Sequence, residues 1–124
     1  MDELPRISDS EWEIMKVFWA KSPATAADVI HALRDNKSWK DKTIKTLISR
    51  LLQKGILTYE QVNRVYFYTP TISEEECKRT ERESFLQRVY GGALKPMLVH
   101  FLQEEKLSSQ EIAELKKILT DKEK

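Results

Sequence analysis

A mainly α fold of the α+β class is predicted, with one domain over residues 1–72 and a smaller helical domain over residues 73–124. Three observations predict it. Apolar residues recur at helical spacing as far as Gly55. The period then changes to that of strands between Ile56 and Thr69, and helical spacing returns after Pro70. With 124 residues, 40% hydrophobic and 33% charged, the chain suits one domain or two small ones. No apolar run is long enough to span a membrane, and the start MDELPRISDSEW is too acidic and polar for a signal peptide. Cys77 is alone, so no internal disulfide can form, and a cytoplasmic location is expected.

The first helix starts at Ser8, which forms an S-x-x-E capping box with Glu11. Trp12, Met15 and Trp19 share one face, widened by Ile14 and Phe18, and both tryptophans are expected in the core. Pro23 ends this helix. Thr25 caps a second one, with Asp28 at its third position and Val29, Ile30 and Leu33 as apolar contacts. Asp35-Asn36 then breaks the chain ahead of a third helix, Lys40 to Gly55. A short helix, a break and a basic helix are the order of a helix-turn-helix.

The third helix has two unlike sides. Ile44, Leu47, Ile48 and Leu51 form an apolar stripe at i, i+3, i+4 and i+7. Lys42, Thr46, Ser49, Arg50 and Gln53 fall opposite, flanked by Thr43 and Lys45. The only acid is Asp41, in the first turn, where it suits the positive helix end. Gly55 is a natural stop. Formal net charge is only +1, but residues 36–64 hold seven Lys/Arg against two Asp/Glu, whereas residues 1–35 hold four against seven. Such a local basic patch is the footprint of a DNA contact surface. On this stretch alone, a solvated face that is merely basic fits as well.

Ile56–Gln61 and Val65–Thr69 read as two strands rich in β-branched and aromatic residues, with Val62, Asn63 and Arg64 at the turn. A hairpin after a recognition helix is the wing of a winged helix. Arg64 at its tip is placed to reach phosphate or the minor groove, or is a plain surface arginine.

Past Pro70, three short amphipathic helices are expected. Ser73 with Glu76 opens the first, which carries Phe85, Leu86, Val89 and Tyr90 and stops at Gly91-Gly92. The second carries Leu94, Met97, Leu98, Phe101 and Leu102. Ser108 with Glu111 opens the third, which carries Ile112, Leu115, Ile118 and Leu119; Asp121 to Lys124 are expected to fray. These stripes need more partner surface than so short a segment offers. Pairing with a second copy about a two-fold axis supplies it; packing back on the N-terminal domain is the competing arrangement.

At this point the chain resembles the penicillinase repressor (BlaI/MecI) family of bacterial transcriptional repressors over nearly its full length. The match is carried by ISDSEWEIMKVFW, DKTIKTLISRLLQKG, FYTP, FLQRVYGG, LVHF and LSSQEIAELKKIL. The resemblance implies a winged-helix DNA-binding domain and an interlocked helical dimerisation domain. It also implies a homodimer that represses β-lactamase or related resistance genes from a dyad of double-stranded operator DNA. It carries DNA contact onto Lys42, Thr43, Lys45, Thr46, Ser49 and Arg50. Relatives open the recognition helix with Ser-Pro where this chain has Lys40-Asp41. Lysine caps poorly, so a start one residue later, on Asp41, is expected. Lys45 replaces the arginine of close relatives and gives up its bidentate reading of guanine. The family is inactivated by proteolysis at an Asn-Phe bond, which corresponds to His100-Phe101 here. The implied trigger is a membrane-bound sensor metalloprotease. A metal-responsive branch has a Cys-rich tail that this chain lacks, and His31 and His100 are too scattered for a metal site, so no metal or cofactor is expected.

An enzyme is not expected. The chain has no Gly-rich phosphate loop, no paired histidines and no nucleophile near a base. Two other readings compete with a resistance-gene repressor: a winged-helix regulator of another regulon, and a winged-helix module whose basic helix docks on an acidic protein.

Overall fold

The computed structural model describes residues 4–35 and 38–124. Its elements run α1 (Asp9–Ala20), α2 (Ala26–Leu33), α3 (Asp41–Gln53), β1 (Leu57–Val62), β2 (Val65–Pro70), α4 (Glu74–Tyr90), α5 (Leu94–Glu104) and α6 (Ser109–Lys122). Asn36 of the expected break, Lys37 of the basic patch and the first three residues of the acidic start lie outside the described residues. The chain divides into two compact units, Met1–Thr80 and Glu81–Lys124. Their division falls inside α4, somewhat beyond the expected boundary at 72/73. The reason is Cys77, which is buried with the N-terminal core and holds the first turns of α4 there.

In the N-terminal unit, α1 makes both bonds of its capping box: Glu11 N–H donates to Ser8 Oγ at 3.2 Å, and Ser8 N–H to Glu11 Oε1 at 2.8 Å. Ile14, Met15 and Phe18 are fully buried. The tryptophans are not at the centre of the core, contrary to expectation. Trp12 and Trp19 are half-buried at its edge, their rings 5.4 Å apart, and Trp19 Nε1–H donates to the Ile72 carbonyl at 2.9 Å. An indole carries a polar N–H, so the rim, where a carbonyl is available, suits it better than an apolar centre. Thr25 and Asp28 complete the box of α2, which buries Val29 and Leu33 against α3.

The apolar stripe of α3 is buried as its spacing requires: Ile44, Leu47, Ile48 and Leu51 are at most 5% exposed. Lys40 stands at its N-cap in extended backbone with no side-chain cap bond, and Asp41 is the first helical residue. At the other end, Gly55 N–H donates to Leu52 O and Ile56 N–H to Leu51 O. Gly55 has φ +78, the left-handed residue that this paired closure needs.

β1 and β2 pair antiparallel from Leu57–Pro70 to Val62–Val65. Val62 belongs to the strand rather than the turn, which is the two residues Asn63 and Arg64, with φ +51 and +69. A two-residue connection with both φ positive follows the strands' own twist. Ala24 adds a one-residue bridge to Tyr68, whose ring meets Phe18 edge-on at 5.8 Å. The hairpin base is therefore fixed to the core and its tip stands clear.

In the second unit, Gly91 and Gly92 end α4 and the Ser108–Glu111 box opens α6, as expected. At the start of α4, within the first unit, Ser73 Oγ accepts from Glu76 N–H at 3.1 Å, one bond of the expected box. The last helix is not frayed from Asp121; it continues through Lys122, with Lys117 and Asp121 paired across its final turn at 3.7 Å.

Candidate nucleic-acid interface

Burying the Ile44–Leu51 stripe turns the other side of α3 outward. Lys42, Thr43, Lys45, Thr46, Ser49 and Arg50 are all exposed. Among the described residues, Lys42, Lys45 and Arg50 have no carboxylate partner. A cation without an ion pair has no attraction to give up when it meets a phosphate. Three positive charges, two free hydroxyls and no acid thus point outward together, with Asp41 set aside at the helix start.

The two threonines of this face differ. Thr46 Oγ1–H donates to the Lys42 carbonyl at 2.9 Å, one turn back along the helix. Thr43 has no such bond among the described residues. Arg64 stands exposed at the hairpin tip in the left-handed region, where an arginine is strained and glycine would not be. Strain kept at an exposed tip fits a side chain needed there.

Lys54 leaves the basic patch. Its ammonium turns inward, contacts the Glu11 carboxylate and donates to the Arg6 carbonyl at 2.8 Å. Glu11 is 1% exposed. Burial pushes its carboxyl upward, but the Lys54 ammonium and the Ser8 N–H outweigh this and hold it below the usual carboxylate range. From the sequence alone, Glu11 has only a capping role. Its spacing carried the missing signal, because Glu11, Ile14, Met15 and Phe18 fall at i, i+3, i+4 and i+7. A carboxylate on the buried stripe needs a cation, and Lys54 is that cation.

In the second unit no residue of α5 or α6 is buried. Leu94, Leu98, Leu102, Ile112, Leu115 and Leu119 are 38–57% exposed, and Val89 and Ile118 are at 55% and 58%. Phe85, Leu86, Tyr90 and Met97 are half-buried. Phe101 stacks on Phe85 with centroids 6.2 Å apart, and His100 Nδ1 lies 3.1 Å from the Tyr90 hydroxyl. His100 is exposed but held, whereas His31 lies exposed on α2. Burial pushes the Cys77 thiol upward, which keeps it neutral and unreactive.

A three-helix core with a hairpin tip and an acid-free helix face defines a winged-helix DNA-binding protein. A family model described as penicillinase repressor matches residues 7–121. The penicillinase repressor of Bacillus licheniformis is 41% identical over 121 residues, covering 98% of this chain and 94% of that one. The methicillin resistance regulatory protein MecI of Staphylococcus aureus strain N315 is 36% identical over 116 residues, covering 94% of each. Among solved structures, the DNA-binding domain of the repressor BlaI superposes with a TM-score of 0.55 at 42% identity, covering 61% of this chain and 93% of that one. The Bacillus licheniformis BlaI monomer in complex with the blaP half-operator does so at 0.53, with the same identity and coverage. The chain belongs to the penicillinase repressor family, whose members are DNA-binding transcriptional repressors and not enzymes.

Proposed function

We propose that this chain is a repressor of β-lactamase or related resistance genes, acting in the cytoplasm as a homodimer on a dyad operator. The observation that carries this reading is the exposed, acid-free side of α3. Residues 1–72 supply the DNA-binding domain and residues 73–124 the dimerisation domain. Two copies lay their α3 faces in successive major grooves roughly 34 Å apart. Lys42 and Arg50, with Arg64 from the wing, hold phosphate; Thr43, Lys45 and Thr46 face the bases, and Ser49 is a further DNA contact. The BlaI half-operator complex supports the DNA partner, and the unburied stripes of α5 and α6 support the second copy.

Binding should be strongly salt-dependent. With about six to eight phosphates neutralised per dimer, log affinity falls against log salt with a slope of roughly −5 to −7. Fluorescence anisotropy over a salt series with a dyad duplex measures it, and a slope near zero rejects the reading. A band shift with random duplex separates it from an acidic-protein module, which would bind neither DNA.

Arg64→Gly tests the wing. Relieving one left-handed arginine should raise stability by about 1 kcal/mol. Losing one phosphate contact per protomer should flatten the salt slope by about 2 per dimer. Higher stability with an unchanged slope would leave Arg64 off the DNA.

Relief of repression is proposed to come from a cut at His100-Phe101, triggered by a membrane-bound sensor metalloprotease. Cutting there divides α5 and releases the Phe101–Phe85 stack, and with it the surface assigned to the second copy.

A further inference from the structure

Thr46 lies near the middle of the outward side of α3, so it goes as deep into a groove as any residue of the helix. A threonine there can offer a hydroxyl proton, a hydroxyl oxygen or a methyl group. Here the proton is already committed, because Thr46 Oγ1 donates to the Lys42 carbonyl at 2.9 Å. Threonine commonly makes this bond to the carbonyl one turn back. The bond spends the proton and draws the hydroxyl toward the helix's own backbone; the oxygen keeps its lone pairs, and the γ-methyl, on the other branch of Cβ, is the group left uncommitted. Thr43, at the flank, makes no such bond among the described residues and keeps its proton. The two threonines therefore do different chemistry on one face. In the major groove, an apolar group has one partner that no other base offers, the C5-methyl of thymine.

We propose that Thr46 determines specificity by methyl-to-methyl contact with one thymine in each half-site, and that its hydroxyl makes no hydrogen bond to a base. The assignment presupposes that α3 enters the groove, as under the proposed function. It adds the identity of the base and the kind of contact that reads it.

The test uses the full-length protein. Duplexes are first enriched from a randomised pool by the wild-type chain. In the winning duplex each thymine is then replaced in turn by deoxyuracil, which deletes only the methyl. Wild type should lose about fourfold in affinity per half-site at one symmetric position, the loss expected for one buried methyl. Thr46→Val keeps the methyl and deletes the hydroxyl. It should bind within about twofold of wild type and remain sensitive to the same replacement. Thr46→Ser keeps the hydroxyl and deletes the methyl. It should bind weakly to the thymine duplex and be indifferent to deoxyuracil at that position.

Tight binding by wild type with indifference to every thymine methyl overturns the assignment. A valine variant that loses as much affinity as the serine variant also overturns it, since the hydroxyl would then be the reading group. Failure of wild type to enrich any duplex overturns the repressor reading, and this one with it. Wild-type helix content by circular dichroism and a near wild-type urea midpoint for both variants show that the fold holding the buried side of α3 is intact, so a changed affinity reports contact rather than folding.

Discussion

Replacing Lys54 with methionine is expected to destabilise the N-terminal unit by about 3 kcal/mol at pH 7. Removing one partner of a buried ion pair leaves a charge with nothing to offset its lost hydration, at a cost of roughly 3–5 kcal/mol. The lower figure applies because the Lys54 side chain is 31% exposed, although Glu11 is at 1%. Against a typical total of about 5–15 kcal/mol, the loss is large. Urea unfolding followed by tryptophan fluorescence measures it, since Trp12 and Trp19 both pack against this core. Adding Glu11→Gln to the lysine variant should restore part of the loss: the amide is neutral, and its oxygen still accepts from Ser8 N–H. A single variant within about 1 kcal/mol of wild type, or a double variant worse than the single, would contradict the pair's role.

The pH dependence of this effect has a definite sign. In the wild type the Glu11 carboxyl is held below its ordinary value of 4.5. Its contribution is therefore present above that value and fades as pH falls through the lower folded value. Burial is the largest single influence and acts upward; without Lys54 only the Ser8 hydrogen bonds oppose it, so the carboxyl of the variant lies higher than that of the wild type. As pH falls from 7, the carboxyl of the variant therefore takes up its proton before that of the wild type, which relieves the variant first. The gap between the two should shrink as pH falls. A gap constant with pH would mean that the methionine acts through packing instead.

How far the sequence could be read is clearest in α3. A periodic stripe needs only one neighbour to bury it, so Ile44, Leu47, Ile48 and Leu51 declared both the core side and, by exclusion, the outward side. Capping boxes were equally legible, because donor and acceptor lie three residues apart and no tertiary partner is needed. What was not legible depends on partners distant in sequence. Lys54 counted as one more basic residue until its contact with Glu11, 43 positions away, removed it from the patch. Trp19 read as core until the Ile72 carbonyl, 53 positions away, placed its N–H at the rim. The hydroxyl of Thr46 has a local partner, but composition does not say which of its two outward atoms is spent.

Ile118→Glu is expected to have the largest effect on DNA binding of any substitution far from α3. Ile118 is 58% exposed in the single chain, so a charge there costs the lone protomer little, within about 0.5 kcal/mol. If a second copy covers the α5 and α6 stripes, the same charge must lose its water on association, and dimerisation fails. Sedimentation velocity should then show a monomer where wild type is a dimer. Wild-type melting temperature should rise with protein concentration, and that of the variant should not. Dyad affinity should fall on the order of 100-fold, because the second half-site no longer benefits from a tethered partner, while affinity for an isolated half-site stays the same. Lys117→Ser is the control on the side of α6 away from the stripe, where the lysine is 78% exposed and, among the described residues, pairs only with Asp121. It should leave all four measurements as they are. An Ile118→Glu chain that still sediments as a dimer would place the two-fold contact elsewhere. A wild-type chain that is monomeric when concentrated would instead mean that these stripes are covered by something other than a second copy.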